Sequence, residues 1–176
     1  MIVYFLRHAS AGQSRLNPVQ DEKRPLDKEG IEQCRYVGRL LNSMDTHVDQ
    51  ILSSPLKRAT QTAALVGNEI EYEQRIERTL ALHPAAEYES FRQLLRKSNQ
   101  SESVMVVGHN PNMSRFLSLL VTGGLSDWAV EMKKGSVARV EVGPKRSTLY
   151  WLITPRLIKS AYTSAQISER PKTAEK

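Results

Sequence analysis

The sequence predicts an α/β protein, a three-layer α/β/α sandwich with a mainly parallel sheet and an antiparallel edge. Two observations carry this. Short apolar runs of strand length alternate with stretches of helical period from residue 2 to about residue 121. The alternation then stops, and two strand-like runs, 137–142 and 148–153, flank Gly143-Pro144-Lys145-Arg146, a loop composition typical of a hairpin.

The elements follow in order. Ile2-Val3-Tyr4-Phe5-Leu6 reads as a buried strand, and a polar loop runs from it through Pro25. Asp27 is placed to cap a helix reaching about Met44, with Ile31, Cys34, Val37, Leu41 and Met44 on its apolar stripe. Gln50 to Ser53 is the second strand. Ser54-Pro55 then reads as N-cap and first turn of a helix to about Val66. Ile70 to Tyr72 is expected as a third strand. Tyr88, Phe91, Leu94 and Leu95 mark the next helix. Val104 to Val107 is the clearest buried strand, and Asn110-Pro111 opens a helix with Met113, Phe116, Leu117 and Leu120 inside. One domain is expected over 1–155. Residues 156–176 carry five Lys or Arg against two Glu and read as a basic tail, its last dozen or so residues disordered.

Composition narrows the function classes. The apolar runs are too short to span a bilayer, and Arg7-His8 interrupts the N-terminal apolar run where a signal peptide would continue, so no membrane is expected and the location expected is cytoplasmic. Net charge is +6, half of it from the tail, which favours acidic partners without specifying nucleic acid. A nucleic-acid binder would rest on that tail alone. Cys34 is the only cysteine, which excludes an intrachain disulfide and a cysteine metal cluster, and its place on a helical stripe predicts a packed core thiol.

The chemistry-bearing residues recur in one position. Arg7-His8, Ser53-Ser54-Pro55 with Arg58, and Gly108-His109 each come directly after a strand or in the turn that follows it. In an open α/β sheet, ligands bind beyond the carboxyl ends of the strands. Two arginines and two histidines meeting there suit a phosphoryl group, because guanidinium forks match phosphate oxygens and a neutral imidazole is a competent nucleophile. Each residue alone has a bland reading: Arg58 as an exposed helix charge, His109 as a satisfied loop histidine. Metal-ligand spacing is missing from the motifs, and no metal or cofactor is expected.

A strand ending in Leu-Arg-His-Ala, a Ser-Ser-Pro-x-x-Arg-Ala-x-x-Thr segment and a late Gly-His together resemble the histidine phosphatase superfamily, over about residues 2 to 153. The resemblance implies the phosphoglycerate-mutase-like fold. It makes His8 the phosphorylated nucleophile, Arg7 and Arg58 ligands of the phosphate oxygens, and His109 a stabiliser of the transferring group. Water would then release inorganic phosphate. The short chain and Arg24-Pro25-Leu26-Asp27-x-x-Gly30 look like the SixA branch of phosphohistidine phosphatases, where Thr stands in place of Asp27. Arg24 is then either a substrate-touching residue at the rim or a surface arginine. The wider family has a mid-chain Glu acid. Here the stretch is Leu80-Ala81-Leu82-His83-Pro84-Ala85-Ala86-Glu87, with His83 and Glu87 as candidates. The expected substrate is a phosphorylated protein carrying phosphohistidine. The alternatives are a small phosphorylated metabolite or a phosphate-binding module without turnover.

Overall fold

The computed structural model describes the backbone of residues 1–168 and the side chains of residues 1–162. The elements are β1 (Ile2–Arg7), α1 (Pro18–Glu22), α2 (Lys28–Ser43), β2 (Gln50–Ser53), α3 (Lys57–Glu69), β3 (Glu77–Arg78), a 3₁₀ turn (Leu80–Leu82), α4 (Tyr88–Lys97), β4 (Ser103–Gly108), α5 (Asn112–Val121), β5 (Val137–Val142), β6 (Ser147–Ile153) and α6 (Pro155–Ser168).

The sheet order is β3-β2-β4-β1-β5-β6. The first four strands run parallel, and β5 and β6 add antiparallel to β1. Alternate residues of one strand serve opposite layers. Tyr4 and Leu6 pack with Ile51, Met105 and Val107 beneath α2, α3 and α6. Val3 and Phe5 pack with Leu52, Val104 and Val106 beneath α4 and α5. On that second face Phe91 stacks on Phe116, their centroids 5.1 Å apart. This is the expected three-layer α/β architecture. Among the described residues no helix is long and apolar enough to cross a membrane.

Several expected boundaries are corrected. Ile70–Glu71 is a turn with Tyr72 in the loop after it, and the third strand is the two-residue β3. Tyr72 still serves the sheet edge, because its hydroxyl accepts the Ile51 N–H at 3.1 Å. α3 begins at Lys57, so Ser54 stands clear of the helix. The loop before Pro25 contains α1, capped by Asn17. On α2, Asp27 caps as expected and Cys34, Val37 and Leu41 are buried, but Ile31 and Met44 face solvent. Glycine takes an inner position instead: a Cβ on Gly30 would lie 2.0 Å from the Ser10 carbonyl oxygen. Beyond Pro155 the chain continues as α6. Ile158 is buried there and Tyr162 stacks on Tyr36 of α2. Two apolar residues four apart are too few to declare a helical period. Residues 169–176 of the expected tail lie outside the described residues.

Candidate active site

Strand order brings the sequence-distant motifs together. β1 and β4 are parallel neighbours with Arg7 opposite Gly108, so His8 and His109 follow one another across adjacent strand ends. The His8 N–H donates to the Gly108 carbonyl at 2.9 Å, and the two rings lie 4.9 Å apart. Gly108 has no room for a side chain, because a Cβ would meet Met113 Sδ at 2.7 Å. β2 flanks β4 on its other side, and the Ser54 N–H donates to the Val107 carbonyl at 2.9 Å.

Each imidazole is oriented. His8 Nδ1 lies 2.8 Å from the Ala9 carbonyl oxygen. A carbonyl only accepts, so Nδ1 carries the proton and Nε2 keeps its lone pair. His109 Nε2 lies 2.8 Å from Ser54 Oγ, which also accepts the Leu56 N–H at 3.4 Å. Ser54 is fully buried and, among the described residues, Nε2 is the acceptor within reach of its hydroxyl proton, so that proton is aimed at Nε2 and the ring proton of His109 lies on Nδ1. Both rings are buried. Burial pushes His8 down to about 3, the Ala9 bond opposes this, and Arg58, Arg7 and Lys134 add to it. Burial likewise pushes His109 down to about 2, with His8, Arg58, His83 and Arg7 adding to it. At neutral pH both rings are uncharged in the free protein.

The two guanidiniums are anchored at one end each. Arg7 Nη1 donates to the Met132 carbonyl at 2.7 Å. Arg58 Nη1 donates to the Asp21 carbonyl at 2.9 Å and lies 3.2 Å from the Asp21 carboxylate. Burial lowers the pKa of both, yet a guanidinium starts so high that both stay charged. Arg7 Nε, Arg58 Nε and His109 Nδ1 are buried with no partner in the protein. Buried donors without partners are rare in native folds. Three on side chains that share one electrostatic neighbourhood describe a receptor for an anion. The start of α3 agrees: it has no side-chain cap and no acidic residue in its first turn, and it carries Lys57 and Arg58. Cations at the positive end of a helix dipole are unfavourable unless an anion joins them.

Thus His8, Arg7, Arg58 and His109 converge as expected. Arg24 does not join them as a rim cation. Its Nε donates to Asp21 at 2.8 Å and its Nη1 to the Ala11 and Gly12 carbonyls at 2.7 and 3.1 Å, so it holds the residue that holds Arg58. Glu87 is exposed at the start of α4. His83 is half-buried and accepts the Ala85 N–H on Nδ1 at 3.2 Å. Sequence reasoning missed Ser54 as a partner of His109, Asp21 as the anchor of Arg58, Thr62 and Lys134. The Thr62 hydroxyl accepts the Ala9 N–H at 3.1 Å and donates to the Arg58 carbonyl at 2.7 Å, which ties the His8 loop to α3. Only Asp21 had a visible signal, its i,i+3 spacing to Arg24. Among the described residues no group of three or more His, Cys, Asp or Glu could hold a metal ion.

Comparison with known proteins agrees with this geometry. The chain is 26% identical over 164 residues to phosphohistidine phosphatase SixA of Escherichia coli, covering 92% of this chain and 98% of that protein. It is 27% identical over 165 residues to an uncharacterized protein of Picosynechococcus, covering 89% and 98%. The structure of SixA complexed with tungstate superposes with a TM-score of 0.77 at 23% identity, over 89% of this chain and 98% of that one. An alpha-ribazole phosphatase from Shigella flexneri gives 0.71 at 19%, over 88% and 97%. At those identities the two structures speak for the fold alone. The family model described as histidine phosphatase superfamily (branch 1) matches residues 3–82, the stretch that holds Arg7, His8 and Arg58. In its first half by this match, and over most of its length by the likeness to SixA, the chain is similar to the histidine phosphatase superfamily, and it shares the fold of SixA.

Proposed function

We propose that this protein is a phosphatase that removes the phosphoryl group of protein phosphohistidine through a phosphorylated His8. One observation carries the reading: a buried neutral imidazole with its Nε2 lone pair free stands among three buried donors that lack protein partners. In this reading the Arg7, Arg58 and His109 donors hold the phosphoryl oxygens. The His8 Nε2 lone pair attacks phosphorus in line, a P–N bond forms, and the bond to the leaving group breaks. Water then attacks phosphorus, the bond to Nε2 breaks, and inorganic phosphate leaves as the water proton passes to solvent or phosphate. The guanidiniums supply charge where the equatorial oxygens accumulate it, so the chemistry needs no metal.

The carboxylates around the site favour a nitrogen leaving group. A hydrogen bond from the Arg15 N–H holds Asp21 below the usual carboxylate range, outweighing burial, with Arg24 and Arg58 assisting. Burial raises Asp27, but the Gly30 N–H, the Ser10 hydroxyl and the Gly12 N–H reverse that. Both are ionised at neutral pH and have no proton to give. An alkoxide leaving group needs one, whereas an imidazole protonated on its far nitrogen departs neutral. The likeness to SixA, a phosphohistidine phosphatase by name, points the same way. The test is turnover of a phosphohistidine protein beside a panel of phosphate esters, with His8→Ala as control. Esters hydrolysed far faster than the phosphohistidine protein would overturn the substrate assignment.

A further inference from the structure

Beside the phosphoryl pocket lies a cleft of about 400 Å³, lined in part by Lys23, Lys57, Arg78, Glu22, Leu80 and His83. It abuts the site through the chain itself. Lys57 precedes Arg58, Glu22 and Lys23 follow the Asp21 that anchors Arg58, and His83 lies within electrostatic reach of His109. The cleft holds three cations against one carboxylate. All four of these side chains are exposed. Among the described residues none of the four forms an ion pair.

Helix physics singles out Lys57. Lys57 is the first residue of α3, whose start has neither a cap nor an acid, so its charge opposes the helix dipole beside a second cation, Arg58. Arg58 is accounted for by the phosphoryl site and Lys57 is not. Leu80, 74% exposed, adds an apolar wall to the same cleft. Cations lining an open trough with one apolar side match an acidic protein surface, where carboxylates alternate with apolar residues.

We propose that this cleft is a second anion subsite, which receives carboxylate side chains flanking the phosphorylated residue of a protein substrate. The proposal rests on the phosphatase reading of the neighbouring pocket. Lys23, Lys57 and Arg78 steer and hold the flanking acids, and Glu22 limits how tightly the product is kept.

The experiment compares two phosphohistidine peptides of one core, one flanked by Asp and Glu and the other by Ser and Gln, with phosphoramidate reporting on the phosphoryl pocket alone. The wild-type protein is expected to favour the acidic peptide by about tenfold in kcat/KM, carried by KM, with the preference shrinking as salt is raised. The Lys23→Gln, Lys57→Gln, Arg78→Gln triple variant should bring that ratio to about one, and Glu22→Gln should increase it. Equal turnover of the two peptides by the wild type overturns the proposal. So does a triple variant that keeps the preference, or a wild type that prefers small doubly phosphorylated compounds to the acidic peptide. If neither phosphohistidine peptide turns over, the substrate assignment fails, and phosphoserine peptides with the same flanks read the subsite independently.

Discussion

The two ends of the sheet differ in how they treat their polar donors. At the amino end of β4 the Asp49 carboxylate accepts the N–H groups of Glu102 and Ser103 at 2.7 and 2.9 Å, and the Ser103 hydroxyl donates to the His47 carbonyl at 3.0 Å. Beside it the Met1 carbonyl accepts the Val142 N–H at 2.8 Å. That end is closed mostly by bonds within the chain, with Gln50 Oε1 at the start of β2 its buried polar atom without a partner among the described residues. At the carboxyl end Arg7, Arg58 and His109 each keep one buried donor without a partner. Leaving such groups unmet costs about 1–3 kcal/mol each, more for a charge. The contrast shows where the chain gives up stability and what kind of ligand restores it.

The strongest way to break the comparison is at His8. His8→Ala should abolish turnover while circular dichroism and the thermal midpoint show an intact fold. Residual turnover near the wild-type level would remove His8 from the chemistry. Next in size, Arg58→Ala should lower kcat/KM at least about a hundredfold, by analogy with the loss of one transition-state donor. It should also erase the thermal stabilisation that phosphate or tungstate gives the wild-type protein. A variant at wild-type rate would show that the unmet donors do not bind the reacting group.

Acid should separate the two ends more gently. His8 and His109 are held near 3 and 2 in the fold, against about 6.5 in an unfolded chain. Between those values the unfolded state binds more protons, so stability is fully present above about pH 6.5 and is lost as pH falls toward 3. Urea midpoints from pH 7 to 4 should decline, more shallowly in His109→Gln. His8 imidazole signals in NMR should show no protonation near pH 6.5 in the phosphate-free protein, and a midpoint there would contradict the burial argument. The smallest effect belongs to the closed end. Asp49→Ala should cost about 1–3 kcal/mol in urea unfolding and leave kcat untouched, whereas a loss of kcat would mean that the two ends are coupled.

Much of the site was legible because its chemistry is local. Arg7-His8 and Gly108-His109 each sit on a strand end, and Ser54 to Arg58 spans the turn into a helix, so type and spacing identify them one segment at a time. Arg24 was legible as a residue but not as a role. Whether a guanidinium meets substrate or a neighbouring carboxylate depends on where Asp21 lies, and nothing in the local spacing settles that. Ser54 read as a helix cap because its sequence neighbours suit one, yet its hydroxyl serves a histidine 55 residues away. β3 escaped because two residues carry no period, and α6 because its apolar residues are interspersed with Ser, Thr and Gln.

By itself the sequence determined the layered α/β class, the strand-end positions of four chemical groups and the helix cap at Asp27, all of which follow from local periodicity and residue type. Only the tertiary structure decided that β4 lies between β1 and β2 and that Asp21 reaches Arg58. It also decided which nitrogens of His8, His109 and the two arginines stay without partners. The reason is physical: strand order and orphaned donors come from long-range packing, where each group's partner is chosen by the whole core rather than by its neighbours in the chain.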